Sequence, residues 1–397
     1  MRFSSFFLPF TLFVSFFAPF VSPYSVQPFA HPGLLHTDSD FKRVADKVAR
    51  QANPWYAGYQ KLVANRHSAS SYKANPQAVV TRGENDLPQN YVILYNDIAA
   101  AYALALRWKV TGDGIYAKAA CDIVDAWSKT LERLNGSADR FLAAGLYGYQ
   151  FANAIEILRS YEGWSGFPAA RDMMVQKFYP MSKDFLVRHN GAKVDHYWAN
   201  WDLCNLNGIL AIGILSDNQT MFQEAIDYFY NGTGNGAITK AIWTIHENVD
   251  GEDLGQVQES GRDQGHTMLV IGLLGIFAQT ATNQGIDLFK YLDNRILKGA
   301  EYVAKYNLGY DVPFSTYGNS YGTQTVISNA SRGNIRPIWE LLYNRYAKVQ
   351  GLDAKYTAMY AERLRNVSGG AEGGGGDYGP NSGGYDQLGY GTLMYSV

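Results

Sequence analysis

Four chemically active side chains stand close together in the segment QESGRDQGH, residues 258–266. They are two acids, one guanidinium and one imidazole at the spacing i, i+3, i+4 and i+7, namely Glu259, Arg262, Asp263 and His266. On a helix through this segment, that spacing would place all four on one face. Such a face is costly to bury unless its members pair or perform catalysis. The segment therefore predicts a polar active-site face. The alternatives are a structural salt-bridge network and a metal site, although the spacing matches no recognised metal motif.

A second cluster of functional side chains occupies the segment DHYWANWDL, residues 195–203. It stands directly ahead of the apolar run 203–215 and combines rings with a hydrogen-bonding amide, in His196, Trp198, Asn200 and Trp201. Such groups at the start of a helix suit the rim of a cleft. The alternative is that both tryptophans belong to the core and that Asn200 caps the helix.

Helical periodicity dominates the elements that must position these clusters. Apolar residues recur at i, i+3, i+4 and i+7 from Phe41 to Val48, and longer stripes run through 91–108 and 116–131. Alternating strand-like runs are scarce, and Gly, Pro or Asn marks the breaks. Helices joined by short connections pack as antiparallel hairpins. We therefore predict an all-α chain of roughly six or seven hairpins that form an incomplete α/α toroid with a cleft at one end. A solenoid is the alternative, but no repeat of fixed period is found.

Two segments are predicted to be loops. Residues 313–322 (PFSTYGNSYG) are polar and aromatic, and residues 368–384 are very rich in glycine. The apolar stretch 388–397 follows the second segment. The glycine-rich segment is therefore predicted to be a long loop whose chain returns to the fold, and not a flexible tail.

The first 24 residues are predicted to be a signal peptide. Arg2 supplies a positive charge, and the apolar run from Phe6 to Val21 is short for a bilayer span. A membrane anchor is the alternative. Residues 25–397 are then expected to form a single catalytic domain of a secreted, extracellular protein. In a secreted protein, the five N-glycosylation sequons are candidate glycosylation sites; they lie at Asn135, Asn218, Asn231, Asn329 and Asn366.

Charge and cysteine content narrow the functional classes. The chain has 34 Lys and Arg against 36 Asp and Glu, and no basic tract suits nucleic acid. A protein that binds a polyanion would therefore have to concentrate positive charge locally.

Cys121 and Cys204 are the only cysteines, which leaves one disulfide or two buried thiols as equal alternatives. We expect no cofactor, no metal, no membrane partner and a monomer.

Several segments from about residue 31 to the C-terminus resemble the alginate lyase superfamily. They are ESGRDQGHT, NWDL with AIGI beyond it, AAAYALALRWKVTGDGIYAKAACDIVDAW, LAAGLYGYQFANAIEILRS and SRGNIRPIWELLYNRY. The pattern Glu-Ser-x-Arg-Asp-x-Gly-His is specific, whereas the helical pieces alone are weak signals. The resemblance implies an α/α toroid that acts on an acidic polysaccharide, by eliminative cleavage of β-1,4-linked polyuronate.

The resemblance also implies roles for individual residues. It assigns Asn200 to the substrate carboxylate, and Arg262 and His266 to the basic pair of the motif. The chain departs from the better-known alginate lyases where Trp201, and not His, follows the asparagine, and where Leu269 occupies the position of a catalytic tyrosine. The tyrosine must then come from elsewhere, or His266 must act as the base. Substrate binding is predicted for His196, Trp198, Trp201, Glu259, Asp263 and Arg332.

Elimination at a uronate requires three chemical functions. Neutralising the carboxylate lowers the barrier to removing the weakly acidic C5 proton. A base then takes H5, and an acid protonates the departing O4. A single tyrosine could do both where the two atoms share one ring face, if a cation such as Arg262 lowers its pKa from about 10. Tyr317 and Tyr321 are the candidates, which favours syn elimination of poly-mannuronate or glucuronan over poly-guluronate.

Two other functions fit parts of the sequence. A glycoside hydrolase on the same fold would need two carboxylates that flank the bond, for which Glu259 and Asp263 could serve. A non-catalytic polysaccharide-binding protein would need only the aromatic residues. The products separate these readings, because only elimination creates an unsaturated, ultraviolet-absorbing end.

Overall fold

The computed structural model describes residues 27–397, and regular structure in that range is mainly helical. The predicted signal peptide, residues 1–24, lies outside the described residues. The α-helices are α1 (Asp38–Ala49), α2 (Trp55–Ala64), α3 (Tyr91–Thr111), α4 (Gly114–Thr130), α5 (Asp139–Leu142), α6 (Gly148–Leu158), α7 (Phe167–Met173), α8 (Tyr179–Arg188), α9 (Ala199–Leu215), α10 (Gln219–Asn231), α11 (Ile238–Ala241), α12 (Gln264–Asn283), α13 (Tyr291–Asn307), α14 (Trp339–Tyr343), α15 (Lys355–Val367) and α16 (Gly391–Tyr395). The strands are β1 (Val79–Thr81), β2 (Arg133–Asn135), β3 (Ile242–Val249), β4 (Glu252–Val257), β5 (Tyr317–Gly318) and β6 (Thr323–Gln324).

Local sequence explains where several helices begin and end. Thr37 and Asp40 form a capping box at the start of α1, in which each side chain accepts the main-chain N–H of the other residue. Gly112 ends α3 in the left-handed conformation, with φ of 74°, which is readily available to glycine. Asp113 then caps α4 by accepting the N–H of Ile115. The predicted boundary between these two helices is therefore confirmed.

The helices pack in pairs around two central helices. α3 packs against α4, α9 against both α6 and α10, and α12 against both α9 and α13. Nearly every residue of α9 and α12 is buried, so each is covered on all sides by other elements. This arrangement confirms the predicted all-α toroid. Both central helices begin at the same end of the molecule, where the two functional segments meet.

The hairpin formed by β3 and β4 is not among the predicted elements. Its strands pair antiparallel and are joined by Asp250 and Gly251, which both have positive φ, 54° and 88°. An Asp-Gly pair of this kind is a strong hairpin signal. The flanking residues alternate poorly between apolar and polar, so the sequence pattern did not indicate strands. The hairpin matters to function because β4 leads directly into residue 258.

The glycine-rich segment is folded against the body of the protein. Residues 371–375 are buried, and the carbonyl oxygen of Gly375 accepts Nδ2 of Asn65 at 3.1 Å. Gly374 pairs with Gly389, whose φ is 74°. A Cβ at Gly389 would stand 2.2 Å from the carbonyl oxygen of Gly373, so two backbones approach here more closely than any side chain allows.

Both cysteines are buried free thiols in the described structure. Cys121 lies in α4 and Cys204 in α9, so the alternative without a disulfide applies. Burial raises the pKa of Cys121 to about 12, which leaves its thiol protonated and unreactive at neutral pH.

Helix α12 is long and apolar enough to span a membrane by length and composition. It is nevertheless a core helix, because 83% of its most apolar window is buried inside the fold.

Among the sequons, Asn231, Asn329 and Asn366 are exposed, whereas Asn135 and Asn218 are half-buried. The side chain of Asn218 also caps α10 by accepting the N–H of Met221.

Candidate active site

The start of α9 lies against the 3₁₀ turn Gln258–Gly261, which connects β4 to α12. Oε1 of Gln258 accepts the main-chain N–H of Ala199 at 2.9 Å. Oε1 of Glu259 accepts the next N–H, that of Asn200, also at 2.9 Å. Two adjacent side chains therefore satisfy the first two N–H groups of α9, and they join the two functional segments that the sequence places about sixty residues apart.

Glu259 is fully buried, and its carboxylate connects Asn200 to Arg262. Besides the main chain of Asn200, Oε1 accepts the side-chain Nδ2 at 2.7 Å. Oε2 accepts Nη1 of Arg262 at 2.8 Å. A carboxylate is stable away from water only when its oxygens are paired in this way. Because one N–H of the Asn200 amide points at Glu259, the amide orientation is fixed, and Nδ2 has a second N–H with which to bind a ligand.

The four motif residues do not lie on one helix, so the predicted single face is wrong. Glu259 belongs to the 3₁₀ turn, and α12 begins only at Gln264. Asp263 between them is extended, with φ of −168°, because it is the N-cap of α12 and its Oδ1 accepts the N–H of His266. The side chains meet instead through Arg262, whose guanidinium contacts the other three groups at distances between 2.8 and 3.6 Å.

His266 and Asp263 form a hydrogen-bonded pair at the start of α12. Nδ1 of His266 lies 2.6 Å from Oδ2 of Asp263. Burial would raise the pKa of Asp263, but the hydrogen bond and charge of His266, with Arg262, lower it to about 2. When the imidazole is neutral, the ionised carboxylate favours the tautomer with the proton on Nδ1, and the lone pair is then on Nε2. Nε2 stands 3.2 Å from Nη2 of Arg262, and the imidazole is 38% exposed.

The site lacks the local excess of positive charge that the sequence analysis expects of a protein that binds a polyanion. One guanidinium, Arg262, is set against two carboxylates, Glu259 and Asp263. A uronate carboxylate must therefore be recognised here by directed N–H donors and not by excess charge. Asn200 and the remaining N–H groups of Arg262 are donors of this kind.

The hairpin of β5 and β6 brings both candidate tyrosines to this site. The hydroxyl oxygen of Tyr317 accepts Nε2 of Gln258 at 2.8 Å. Burial raises the pKa of Tyr317, so its hydroxyl is protonated at neutral pH. Tyr321 is 65% exposed, and its ring centre lies 5.6 Å from that of Trp198 and 5.7 Å from that of His196. The hairpin thus lies over the segment 195–198.

The aromatic residues of that segment differ in how much surface they present. Trp198 is only 6% exposed, because Tyr321 lies beside it and the guanidinium carbon of Arg262 stands 5.3 Å from its ring. Its visible role is to support Arg262 by a cation–π contact. Trp201 is half-buried against Phe185 and Tyr197. Direct stacking of sugar on either tryptophan stays a prediction.

Arg332 makes its contacts at the end of α13. Its Nε donates to the carbonyl oxygen of Tyr306 at 2.7 Å, and its Nη2 donates to that of Tyr310 at 2.9 Å. These bonds satisfy carbonyls at the C-terminal end of a helix, which is a common structural use of arginine. The structure therefore gives Arg332 a capping function, and its predicted contact with substrate stays a prediction.

In the described part of the chain, no three His, Cys, Asp or Glu side chains are arranged to hold a metal ion. Glu259 instead accepts hydrogen bonds from Asn200 and Arg262, and Asp263 is bonded to His266. The cluster can orient a carboxylate, accept a proton on His266 and donate one from Tyr317. These functions are the ones that elimination at a uronate requires.

The sequence model of the family described as Alginate lyase matches residues 43–312, which is more than half of the 397 residues. This chain belongs to the alginate lyase family. It is a polysaccharide lyase. No relative among the curated proteins is matched by sequence.

Solved alginate lyases share the fold at low sequence identity. Alginate lyase A1-III from Sphingomonas species A1 is 14% identical, with a TM-score of 0.52, over 82% of this chain and 93% of that one. A variant of A1-III complexed with a tetrasaccharide is 13% identical, with a TM-score of 0.52, over 81% and 91%. An alginate lyase from Bacteroides ovatus is 13% identical, with a TM-score of 0.58, over 93% and 100%.

The site of this alginate lyase family member contains two residues, Gln258 and Trp243, that the sequence analysis did not single out. Gln258 is 1% exposed and links Ala199 to Tyr317. Both contacts join residues that are 59 positions apart, so no local pattern reveals them. The only available signal was that Gln258 directly precedes the specific motif. Trp243 lies next to Tyr317, with ring centres 5.4 Å apart, and also was not singled out.

Proposed function

We propose that this polysaccharide lyase cleaves β-1,4-linked polyuronate, as poly-mannuronate blocks of alginate or as glucuronan, by syn β-elimination. The observation that carries the proposal is the shared carboxylate of Glu259. It holds Asn200 and Arg262 side by side, at 2.7 and 2.8 Å, with the Nε2 lone pair of His266 next to Arg262. Donors for a carboxylate and a base for an adjacent C–H are thereby combined in one site.

In the proposed reaction, Asn200 and Arg262 bind the carboxylate at C6 of the uronate. Their N–H groups stabilise the charge that moves onto its oxygens when H5 leaves. Because Glu259 fixes both side chains before the substrate arrives, little reorganisation is needed in the transition state. The substrate class thus follows from the two donors and from the need for an acidic C–H next to a carboxylate.

His266 is the group that geometry favours as the base. Its Nδ1 is bound to Asp263, which is the arrangement of a base held by an orienting carboxylate. Its Nε2 accepts a hydrogen bond from Nη2 of Arg262, and in the proposed reaction it gives up this bond to take H5 while Arg262 turns to the substrate carboxylate. Tyr317 is better suited to act as the acid, since burial raises its pKa and keeps it protonated. We therefore propose a separate base and acid, His266 and Tyr317, in place of a single tyrosine that serves as both.

The stereochemical part of the proposal rests on where these two groups are attached. His266 is hydrogen-bonded to Arg262, which is bonded to Glu259. Tyr317 is hydrogen-bonded to Gln258. Both are thus held by one short segment of chain, which supports approach to the sugar from one side. H5 and O4 lie on the same face in β-mannuronate and β-glucuronate, and on opposite faces in guluronate. Same-side groups therefore suit the first two sugars.

A glycoside hydrolase is less consistent with this geometry. Both of its candidate carboxylates, Glu259 and Asp263, are paired with Arg262, and Glu259 is fully buried. Neither is positioned as a free acid, and a hydrolytic pair must flank the scissile bond with a proton on one member.

We further propose that the protein acts outside the cell as a glycosylated monomer without a cofactor. The basis is the leader-like sequence of residues 1–24 and the exposure of the sequons at Asn231, Asn329 and Asn366. Mass spectrometry of the secreted protein before and after deglycosylation tests this part. Retention of the N-terminal residues, or a mass without glycan, would overturn it.

The central experiment incubates the purified full chain with poly-mannuronate, glucuronan and poly-guluronate, and follows ultraviolet absorbance. A lyase creates an absorbing C4–C5 double bond on poly-mannuronate or glucuronan. New reducing ends without absorbance would establish hydrolysis instead. Binding without either product would establish the non-catalytic alternative.

A further inference from the structure

Gln258 is a buried amide with both ends in use. Its Oε1 accepts the main-chain N–H of Ala199 at 2.9 Å, and its Nε2 donates to the hydroxyl oxygen of Tyr317 at 2.8 Å. Only 1% of Gln258 is exposed, so water does not compete for these bonds. The side chain therefore links the start of α9, beside Asn200, to the β5–β6 hairpin.

The orientation of this amide is fixed by chemistry. A main-chain N–H can only donate, so Ala199 must face the oxygen of Gln258. The NH₂ group of Gln258 must then face Tyr317, whose oxygen receives a hydrogen bond. The hydroxyl proton of Tyr317 consequently points away from Gln258 and is available to another acceptor.

We propose that Gln258 is a positioning residue that holds Tyr317 as the proton donor to the departing O4. This inference rests on the proposed lyase function and adds the residue that orients its acid. In the step, His266 takes H5, the electrons of the C5–H bond form the C4–C5 double bond, and the C4–O4 bond breaks. O4 takes the proton of Tyr317, and the N–H of Gln258 stabilises the phenolate that forms. Water then carries the proton from His266 back to Tyr317.

The surroundings of Tyr317 fit a donor and not a base. Its ring lies against Trp243, with centres 5.4 Å apart. Burial in the first place, and then the negative charges of Asp195 and Glu259, raise the pKa of Tyr317 and so disfavour a phenolate in the free enzyme. The bond from Gln258 is the largest influence that favours the phenolate. Gln258 thus lowers the cost of the charge that appears on Tyr317 only when O4 is protonated.

Replacement of Gln258 by Glu separates positioning from packing. Gln258→Glu keeps the size of the side chain and an oxygen for Ala199, but in alkaline buffer it presents a second oxygen to Tyr317. The tyrosine proton then bonds to that carboxylate and is withheld from O4. We expect kcat to fall about a hundredfold with little change in KM, as for a lost general acid. Gln258→Met, which lacks both bonds, should cost about tenfold.

The decisive substrate carries a nitrophenoxy group at C4, which leaves without being protonated. On this substrate, Gln258→Glu and Tyr317→Phe should recover to within a few-fold of the wild-type rate, whereas His266→Ala should not. On polymer, the double variant Gln258→Glu/Tyr317→Phe should lose less activity than the two single losses combined, because both substitutions remove the same proton donor. Tyr317→Phe carries the leaving-group test even if position 258 proves intolerant.

Gln256→Glu is the matched control. Gln256 lies two residues earlier, is equally buried and bonds to Ser315 and His246, but makes no bond to Tyr317 among the described contacts. Its substitution should give no leaving-group dependence. Wild-type kcat in Gln258→Glu, or a loss that the activated substrate does not relieve, would overturn the inference while leaving the lyase intact. Absence of unsaturated product from the wild-type enzyme would overturn both.

Discussion

Glu259 and Asn200 are joined by two hydrogen bonds to a single oxygen. Oε1 of Glu259 accepts the main-chain N–H of Asn200 at 2.9 Å and its side-chain Nδ2 at 2.7 Å. The same carboxylate holds Arg262 through its other oxygen at 2.8 Å. One buried acid thus sets the positions of both groups that we assign to the substrate carboxylate, and this relationship yields the first prediction.

Glu259→Gln should impair catalysis and stability together. The substituted amide has one acceptor for the three donors that now share two oxygens, so one buried donor loses its partner. We expect a loss of about 1–3 kcal/mol in the free energy of unfolding, measured by denaturant titration, and a fall in kcat of at least tenfold. Combination with Asn200→Ala should cost less than the sum of the two changes. Additive losses would show that the two residues act independently.

Arg262→Ala and His266→Ala should each lower the elimination rate by about a hundredfold or more, as for a lost transition-state donor or base. Initial rates of absorbance increase on poly-mannuronate measure this. Lys118→Ala is a suitable control, because Lys118 forms an exposed ion pair with Asp122 on α4. Near-normal turnover in either active-site variant, with an unchanged circular dichroism spectrum, would contradict the assignment.

Asn200→Ala should lower kcat strongly, while melting temperature falls only by the modest amount expected for one lost hydrogen bond to Glu259. The residue is not the cap of α9, since Trp198 occupies the N-cap position, and the first N–H groups of the helix are bound by Gln258 and Glu259. The alternative interpretation as a helix cap predicts the reverse. A large drop in melting temperature with retained specific activity would establish it.

The parts of this fold that sequence could predict are those with local causes. The break between the helical stripes 91–108 and 116–131 is one of them, because Gly112 ends α3 within one turn of chain. The break at Asp263 was not predicted, because an i, i+4 spacing cannot distinguish one helix from a turn followed by a cap. The role of Gln258 could not be predicted for another reason. Its partners are 59 residues away in both directions, and only the folded chain brings them together.

His31 is predicted to make stability depend on pH. Its ring contacts Glu156 at 2.6 Å and Asp217 at 2.9 Å, beside Arg159, and so fastens the N-terminal segment to α6 and the end of α9. Burial opposes the charged form, but the hydrogen bonds to Glu156 and Asp217 and the charge of Glu156 prevail and raise the pKa of His31. A raised pKa means that this stabilisation is complete below about pH 6.5 and is lost as pH rises through the folded-state value.

Melting temperatures of wild type and His31→Gln, measured across neutral pH, test this dependence. The wild type should exceed the variant by on the order of a few degrees in mild acid, and the gap should shrink in alkaline buffer. His246→Gln is the control, since His246 bonds to the uncharged Gln256. A gap that stays constant or widens with pH would show that His31 contributes only packing.

The last prediction concerns stereochemistry and separates the two tyrosines. Since His266 and Tyr317 are held by the same short segment, we expect cleavage of poly-mannuronate or glucuronan at least tenfold faster than that of poly-guluronate. Tyr317→Phe should reduce kcat about a hundredfold while polymer binding persists, because it removes the proposed proton donor. Tyr321→Phe should change kcat little, because the ring of Tyr321 is largely exposed and keeps its contacts with Trp198 and His196. Equal rates on pure poly-guluronate and poly-mannuronate would refute the same-side arrangement. Full activity in Tyr317→Phe with loss in Tyr321→Phe would transfer the acid role to the exposed tyrosine.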